Sequence, residues 1–227
     1  MAGMAELPVR DIADVPLAAL FGKPGCPLCR RVTDITTRFV DAMLYESVND
    51  VPFRAELDAG RGFCRHHVHE VLSANRNRTG GSLASAILLG AMLRVRRGEL
   101  GQARGGGRAR SRRLEAAAAA PDCPICRQAD RGLAGAAESL VRLSAQEAWA
   151  EALAQAPWCL EHLVRLMAEP RRPPAFASVE GRQLERLERL QALLESFAHH
   201  SSEDRRHKLT DEERAAVDEA ARTLGGG

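Results

Sequence analysis

The sequence predicts an all-α protein: two tandem duplicated helical modules, each with a CPxC…CxxH metal knuckle, followed by a C-terminal helix. Three observations predict it. Ala, Leu and Arg dominate while aromatic residues make up only 4% of the 227 residues, and runs of Val and Ile of strand type are scarce, a composition that favours helix over strand. Apolar residues recur at helical rather than alternating spacing. The six cysteines fall into two copies of one pattern.

That pattern organises the chain. "CPLCR" holds Cys26 and Cys29, and "CPICR" holds Cys123 and Cys126. A third cysteine follows each pair, 35 residues after Cys29 and 33 after Cys126, and a histidine stands three residues further on: Cys64 with His67 in "FCRHH", Cys159 with His162 in "WCLEH". Equivalent residues are offset by 97 in the first motif and 95 in the second, and no cysteine is left over. The expected organisation is a first Cys₃His module over 1–98, a flexible Gly/Arg/Ala linker over 99–120, a second module over 121–200, and a C-terminal capping-box helix and tail over 201–227.

Each element has its own signal. After the first knuckle, Val32, Ile35, Phe39, Met43 and Leu44 predict a helix from Pro27 to about Ser47. "NDVP" reads as a break and N-cap before a short helix to Asp58. Gly60 and Gly62 lead into Cys64 and a helix to about Ala74, with another starting near Ser82. In the second copy a helix spans about Pro124 to Leu143, and "SAQE" from Ser144 reads as a capping box opening a short helix through Leu153. "LEHLVRLM" turns Leu163, Leu166 and Met167 inward. A long helix from about Ala177 carries Leu184, Leu187, Leu190, Leu194 and Phe197. It either packs on its own module or forms a dimer seam over 177–198. Last, Thr210 and Glu213 predict a capping box and the terminal glycines a stop.

The cysteine pattern suits a metal. Cys-x-x-Cys lets two thiolates converge, and Cys-x-x-His at a helix start sets two side chains one turn apart on one face. Three thiolates and an imidazole are a donor set for tetrahedral Zn²⁺. The eight ligands expected are Cys26, Cys29, Cys64, His67, Cys123, Cys126, Cys159 and His162, holding two zinc ions per chain. Four protein ligands leave no open position, which points to a structural site. His66 and His69 have no counterpart near His162 and read as exposed helix residues; His199, His200 and His207 read as surface residues. Arg30 and Arg127, directly after each knuckle, either balance the net charge of about −1 on such a site or are solvated. An iron–sulfur cluster on the same donors is the alternative cofactor. A thioredoxin-type motif lacks its βαβ context, and haem attachment would need a histidine where Arg30 and Arg127 stand.

The net charge of +2 gives no strong global field. Arg96 to Arg113 holds seven arginines and one glutamate. It could meet nucleic-acid phosphates, but no aromatic residue there would stack on a base, so another protein is the expected partner. The longest apolar stretch, Leu83 to Val95, is too short for a bilayer, and no signal peptide is visible, so a cytoplasmic setting with reduced cysteines is expected. The function expected is a zinc-binding helical scaffold or interaction protein. Redox chemistry is one alternative. An enzyme with a pocket between the modules is another, less favoured because Glu46, Asn49 and Asp50 of "ESVND" read as caps.

The ordered set "CPLCR", "LYESVND", "GFCRHH", "CPICR" and "WCLEH", closed by "FAHHSSEDRRHKLTDEERAAVDEAARTLGG", resembles an uncharacterised bacterial family known only as a domain of unknown function. The likeness runs from about Gly25 to Gly225, with a longer Gly/Arg/Ala insert at 101–120 as its one departure. It implies helical proteins with paired Cys/His motifs and brings no activity with it.

Overall fold

The computed structural model of the chain describes residues 7–79, 82–104, 106–201 and 209–226. Among them are eleven α-helices and no strand, as the composition predicted. In chain order these are α1 Val15–Ala18, α2 Pro27–Ala42, α3 Val51–Ala59, α4 Arg65–Thr79, α5 Leu83–Gln102, α6 Gly107–Ala118, α7 Pro124–Leu143, α8 Glu147–Gln155, α9 Leu160–Met167, α10 Phe176–His200 and α11 Asp211–Gly225. Among the described residues no helix is long and apolar enough to cross a membrane. His207 and Gly105 lie outside the described residues.

The chain divides into two units, and each draws on both halves of the sequence. Residues 1–32 and 133–227 form the first, and 33–132 the second. These boundaries differ from the linear modules read from the repeat. Helices α2 and α7 each start in one unit and end in the other, the divisions falling after Val32 and Gly132.

In the first unit, α2 contributes Leu28, α7 Leu140 and Leu143, α8 Trp149 and Leu153, α9 Leu166 and α10 Phe176, all buried. Leu17 and Leu20 from the N-terminal segment join them, a contribution that short segment did not advertise. Phe21 stands edge-on to both tryptophans, 5.8 Å from Trp149 and 6.2 Å from Trp158. The indole N–H groups are satisfied inside this core, Trp149 donating to the Pro8 carbonyl at 3.0 Å and Trp158 to that of Leu153 at 2.7 Å. The buried Gln183 amide donates to the Ala154 and Ala156 carbonyls at the end of α8, which the helix itself leaves without partners.

In the second unit Val40, Met43, Val48, Leu57, Phe63, Val71, Leu88 and Ile125 form the core. A π-helical turn over Met43–Ser47 ends α2, so the helix predicted to run to Ser47 closes with a wider coil. Asp50 caps α3, accepting from the Phe53 amide at 2.8 Å. At Gly132 a Cβ would lie 2.4 Å from Ile35 Cδ1, so only glycine admits Ile35 so close.

Two local expectations need correction. The predicted flexible linker is largely helical: α5 runs to Gln102 and α6 occupies Gly107–Ala118. Arginines from elsewhere hold it, Arg61 donating to the Ala117 carbonyl at 2.8 Å and Arg96 to the same oxygen, so the last carbonyls of α6 are capped. Alanine-rich sequence supplies the propensity that the glycines disguised. The second correction concerns "SAQE". Ser144 is not an N-cap; it is buried, its hydroxyl donates back to the Val141 carbonyl at 2.6 Å, and its amide extends α7. Gln146 stands at the N-cap of α8 without a side-chain bond.

The apolar stripe of α10 is partly covered within the chain. Leu190, with Leu193 and Leu194, packs on Ala216 and Ala220 of α11, while Leu184 stays 50% exposed. The capping box of α11 is present, with the Glu213 amide donating to Thr210 Oγ1 at 3.2 Å and the Thr210 amide to Glu213 Oε2 at 2.7 Å. The same carboxylate bonds to Ser196 at 2.6 Å and faces His200 Nδ1 at 2.8 Å, so His200 is no idle surface residue. These contacts, the Ser196 hydroxyl and the Thr210 amide foremost, hold the Glu213 carboxyl down to about 2 from an ordinary 4.5. A depressed folded-state value means that its contribution to stability is fully present above about 4.5 and is lost as the pH falls towards 2. Glu213→Ala should therefore speed amide exchange across α11 at neutral pH, and this difference from the parent chain should close as the pH approaches 2.

Candidate metal centres

Each predicted ligand sits at the start of a helix. Cys26 and Cys123 immediately precede α2 and α7, whose first residues are Pro27 and Pro124, and Cys29 and Cys126 lie in the first turn. Proline costs nothing there, because its missing N–H would have had no helical partner. Cys64 precedes α4 and Cys159 is the N-cap of α9, with His67 and His162 one turn on. Helix starts carry free amide N–H groups and the positive end of the helix dipole, a setting that favours thiolate.

The eight side chains gather into two quartets, and the pairing crosses the two copies. Cys26 and Cys29 meet Cys159 and His162; Cys64 and His67 meet Cys123 and Cys126. The expectation that each knuckle joins the Cys-x-x-His of its own copy is thereby corrected. The physical reason lies in α2 and α7, helices of 16 and 20 residues that end in a different unit from the one holding their cysteines.

The quartets match closely in geometry. In the first, His162 Nδ1 lies 3.5 Å from Cys26 Sγ, 3.3 Å from Cys29 Sγ and 3.1 Å from Cys159 Sγ. In the second, His67 Nδ1 lies 3.5 Å from Cys123 Sγ, 3.3 Å from Cys126 Sγ and 3.1 Å from Cys64 Sγ. The sulfurs of Cys29 and Cys159, and those of Cys126 and Cys64, are 3.7 Å apart. All donor atoms of a quartet lie within 4.8 Å of one another. No disulfide joins the cysteines. Cys26, Cys123, Cys159, His67 and His162 are buried, so either quartet could hold a metal ion largely out of water.

Protonation is uneven without a cation. Burial raises the Cys159 thiol to about 12, helped by the neighbouring Cys26 and Cys29, and burial with the charge of Cys123 raises Cys126 likewise to about 12. Cys26 goes the other way. Burial opposes its ionisation, but His162 and the backbone amides of Cys159 and Cys29 together bring it down to about 6. Burial also lowers His67, which favours the neutral imidazole a metal needs.

The loops before the knuckles are braced. Arg30 donates to the Gly25 carbonyl at 2.7 Å and also to Pro24 and Leu20, and Arg127 reaches the Asp122 carbonyl at 3.4 Å while pairing with the Asp122 and Glu56 carboxylates. The two arginines thus share one task, gripping the carbonyl five residues upstream. In the second unit the Asp122 amide also donates to the Gly60 carbonyl at 2.8 Å, tying together the loops that deliver both ligand pairs. A Cβ on Gly60 would stand 2.6 Å from the Asp122 oxygen, so this approach requires glycine. Gly62, at φ +97°, is required for a different reason, its left-handed backbone.

Outside the quartets, His66 and His69 are exposed, as expected. Glu46 and Asn49 are exposed, and Asp50 serves as the α3 cap. Two residues near the sites escaped the sequence reading. Glu70 Oε2 lies 3.5 Å from His67 Nε2, and the signal was its place one turn after a ligand histidine. Gly226 comes beside Cys29, its notional Cβ 3.6 Å from the sulfur, and nothing in the sequence linked them.

The sequence model of a family described as a family of unknown function, DUF6062, matches residues 8–198, which include all eight cysteines and histidines of the two quartets. No curated protein and no solved structure matches the chain.

Proposed function

Because the chain belongs to the DUF6062 family of unknown function, its role has to be read from its own sites, and we propose that it is a helical scaffold that binds another protein and is held in shape by two structural zinc ions. The carrying observation is the convergence of three sulfurs and one imidazole nitrogen at each site. Zinc bond lengths of roughly 2.3 Å to sulfur and 2.0–2.1 Å to nitrogen imply tetrahedral edges of about 3.8 Å between sulfurs and about 3.6 Å from sulfur to nitrogen. The observed 3.7 Å and 3.1–3.5 Å separations fit that shape with little adjustment. An iron–sulfur cluster distributes its protein ligands over several irons and spreads them apart, whereas these donors crowd within 4.8 Å. Four protein donors fill a tetrahedron and leave no position for a substrate, which favours the scaffold over an enzyme.

Elemental analysis of protein purified without chelator checks this reading. A colourless preparation with two zinc ions per chain is expected. A brown preparation containing iron and inorganic sulfide would replace zinc with the cluster, and a metal-free folded chain would remove the proposal altogether.

A further inference from the structure

The two quartets repeat each other donor for donor, yet the turn behind each histidine differs. Three residues after His67 stands Glu70; three after His162 stands Arg165. His67 presents Nδ1 to the sulfurs, which leaves Nε2 facing Glu70 Oε2 at 3.5 Å. The Glu70 side chain is 27% exposed, and the solvent-facing His66 ring lies farther off, at 4.0 Å. Arg165 faces Glu169 at 3.9 Å, and a guanidinium has no acceptor to offer an imidazole N–H.

We propose that Glu70 is a positioning residue for His67 and makes the second quartet the tighter of two unequal metal sites. A metal on Nδ1 fixes the remaining ring proton on Nε2, which then donates to the Glu70 carboxylate. That bond sets the ring orientation and raises the donor strength of Nδ1. Outer partners of this kind alter metal affinity by about 10–100-fold. The first quartet lacks such an acceptor at the equivalent place, so its ion exchanges more readily. The inference rests on the zinc reading above.

The test uses the full chain with one quartet disabled at a time. Cys29→Ser leaves only the second quartet and Cys126→Ser only the first, and each is titrated against a zinc chelator. The second should retain zinc about 10–100-fold more tightly. Glu70→Ala should remove that advantage, with helix content and tryptophan emission unchanged. Glu70→Gln, whose amide oxygen still accepts, should restore part of it. In the other direction, Arg165→Glu at an exposed position should tighten the first quartet. Equal retention by the two quartets, or Glu70→Ala and Arg165→Glu without effect, would overturn the inference. A parent chain that takes up no zinc would instead overturn the reading beneath it.

Discussion

With one zinc ion in each quartet, as proposed above, protein carrying Cys29→Ser should lose one of the two, and adding His162→Ala should cost no further metal, whereas adding His67→Ala should leave the chain with none. The reason is the crossed pairing: Cys29 shares its quartet with His162, not with His67. Tryptophan emission offers an independent readout. Both tryptophans, Trp149 and Trp158, are fully buried in the first unit, against the helices that carry its quartet. Cys29→Ser should therefore shift their emission to the red as that core loosens. His67→Ala, acting in the second unit, should leave emission in place while removing the other ion. If Cys29→Ser and His67→Ala proved redundant for metal content, each knuckle would be working with its own copy and the crossed arrangement would be wrong.

On the same zinc proposal, stripping metal from both quartets should have the largest effect on stability. Structural zinc contributes on the order of 10 kcal/mol of apparent folding free energy in small metal-dependent domains, comparable to the whole stability of an ordinary domain. Chelation should thus lower the denaturant midpoint sharply or unfold the chain, and added zinc should restore it. Acidification should act in the same direction. In the metal-free sites burial holds Cys159 and Cys126 near 12, so both keep their protons at neutral pH. A bound cation reverses that preference and expels them. Protons and metal therefore compete: affinity rises with pH and falls as the solution is made acid. Adding zinc to metal-free protein in weakly buffered solution should release protons, measurable by pH-stat. Zinc uptake without proton release would contradict the protonation pattern derived from the geometry.

The helical class, most helix starts and all eight clustered side chains were legible from the sequence, because each rests on local chemistry. Pro27 and Pro124 mark helix starts through their fixed φ, and Thr210 with Glu213 closes a capping box within four residues. Ser144 shows the limit of that approach. The same four-residue signature failed there, because a buried serine found its partner in the preceding turn. The covering of Gly/Arg/Ala sequence by Arg61 and Arg96, which makes α6 possible, depends on residues far away along the chain.

What the sequence determined by itself is the inventory: two knuckles, two Cys-x-x-His turns, and helices to carry them. Which knuckle meets which turn was decided by tertiary structure alone. Joining Cys29 to Cys159, 130 residues away, rather than to Cys64 at 35, costs only about 1 kcal/mol more in loop closure, since that entropy grows with the logarithm of length. Burial of α2 and α7 easily outweighs so small a difference. Local spacing specifies a ligand's neighbours within a turn, but the packing of long helices chooses its partners across the fold.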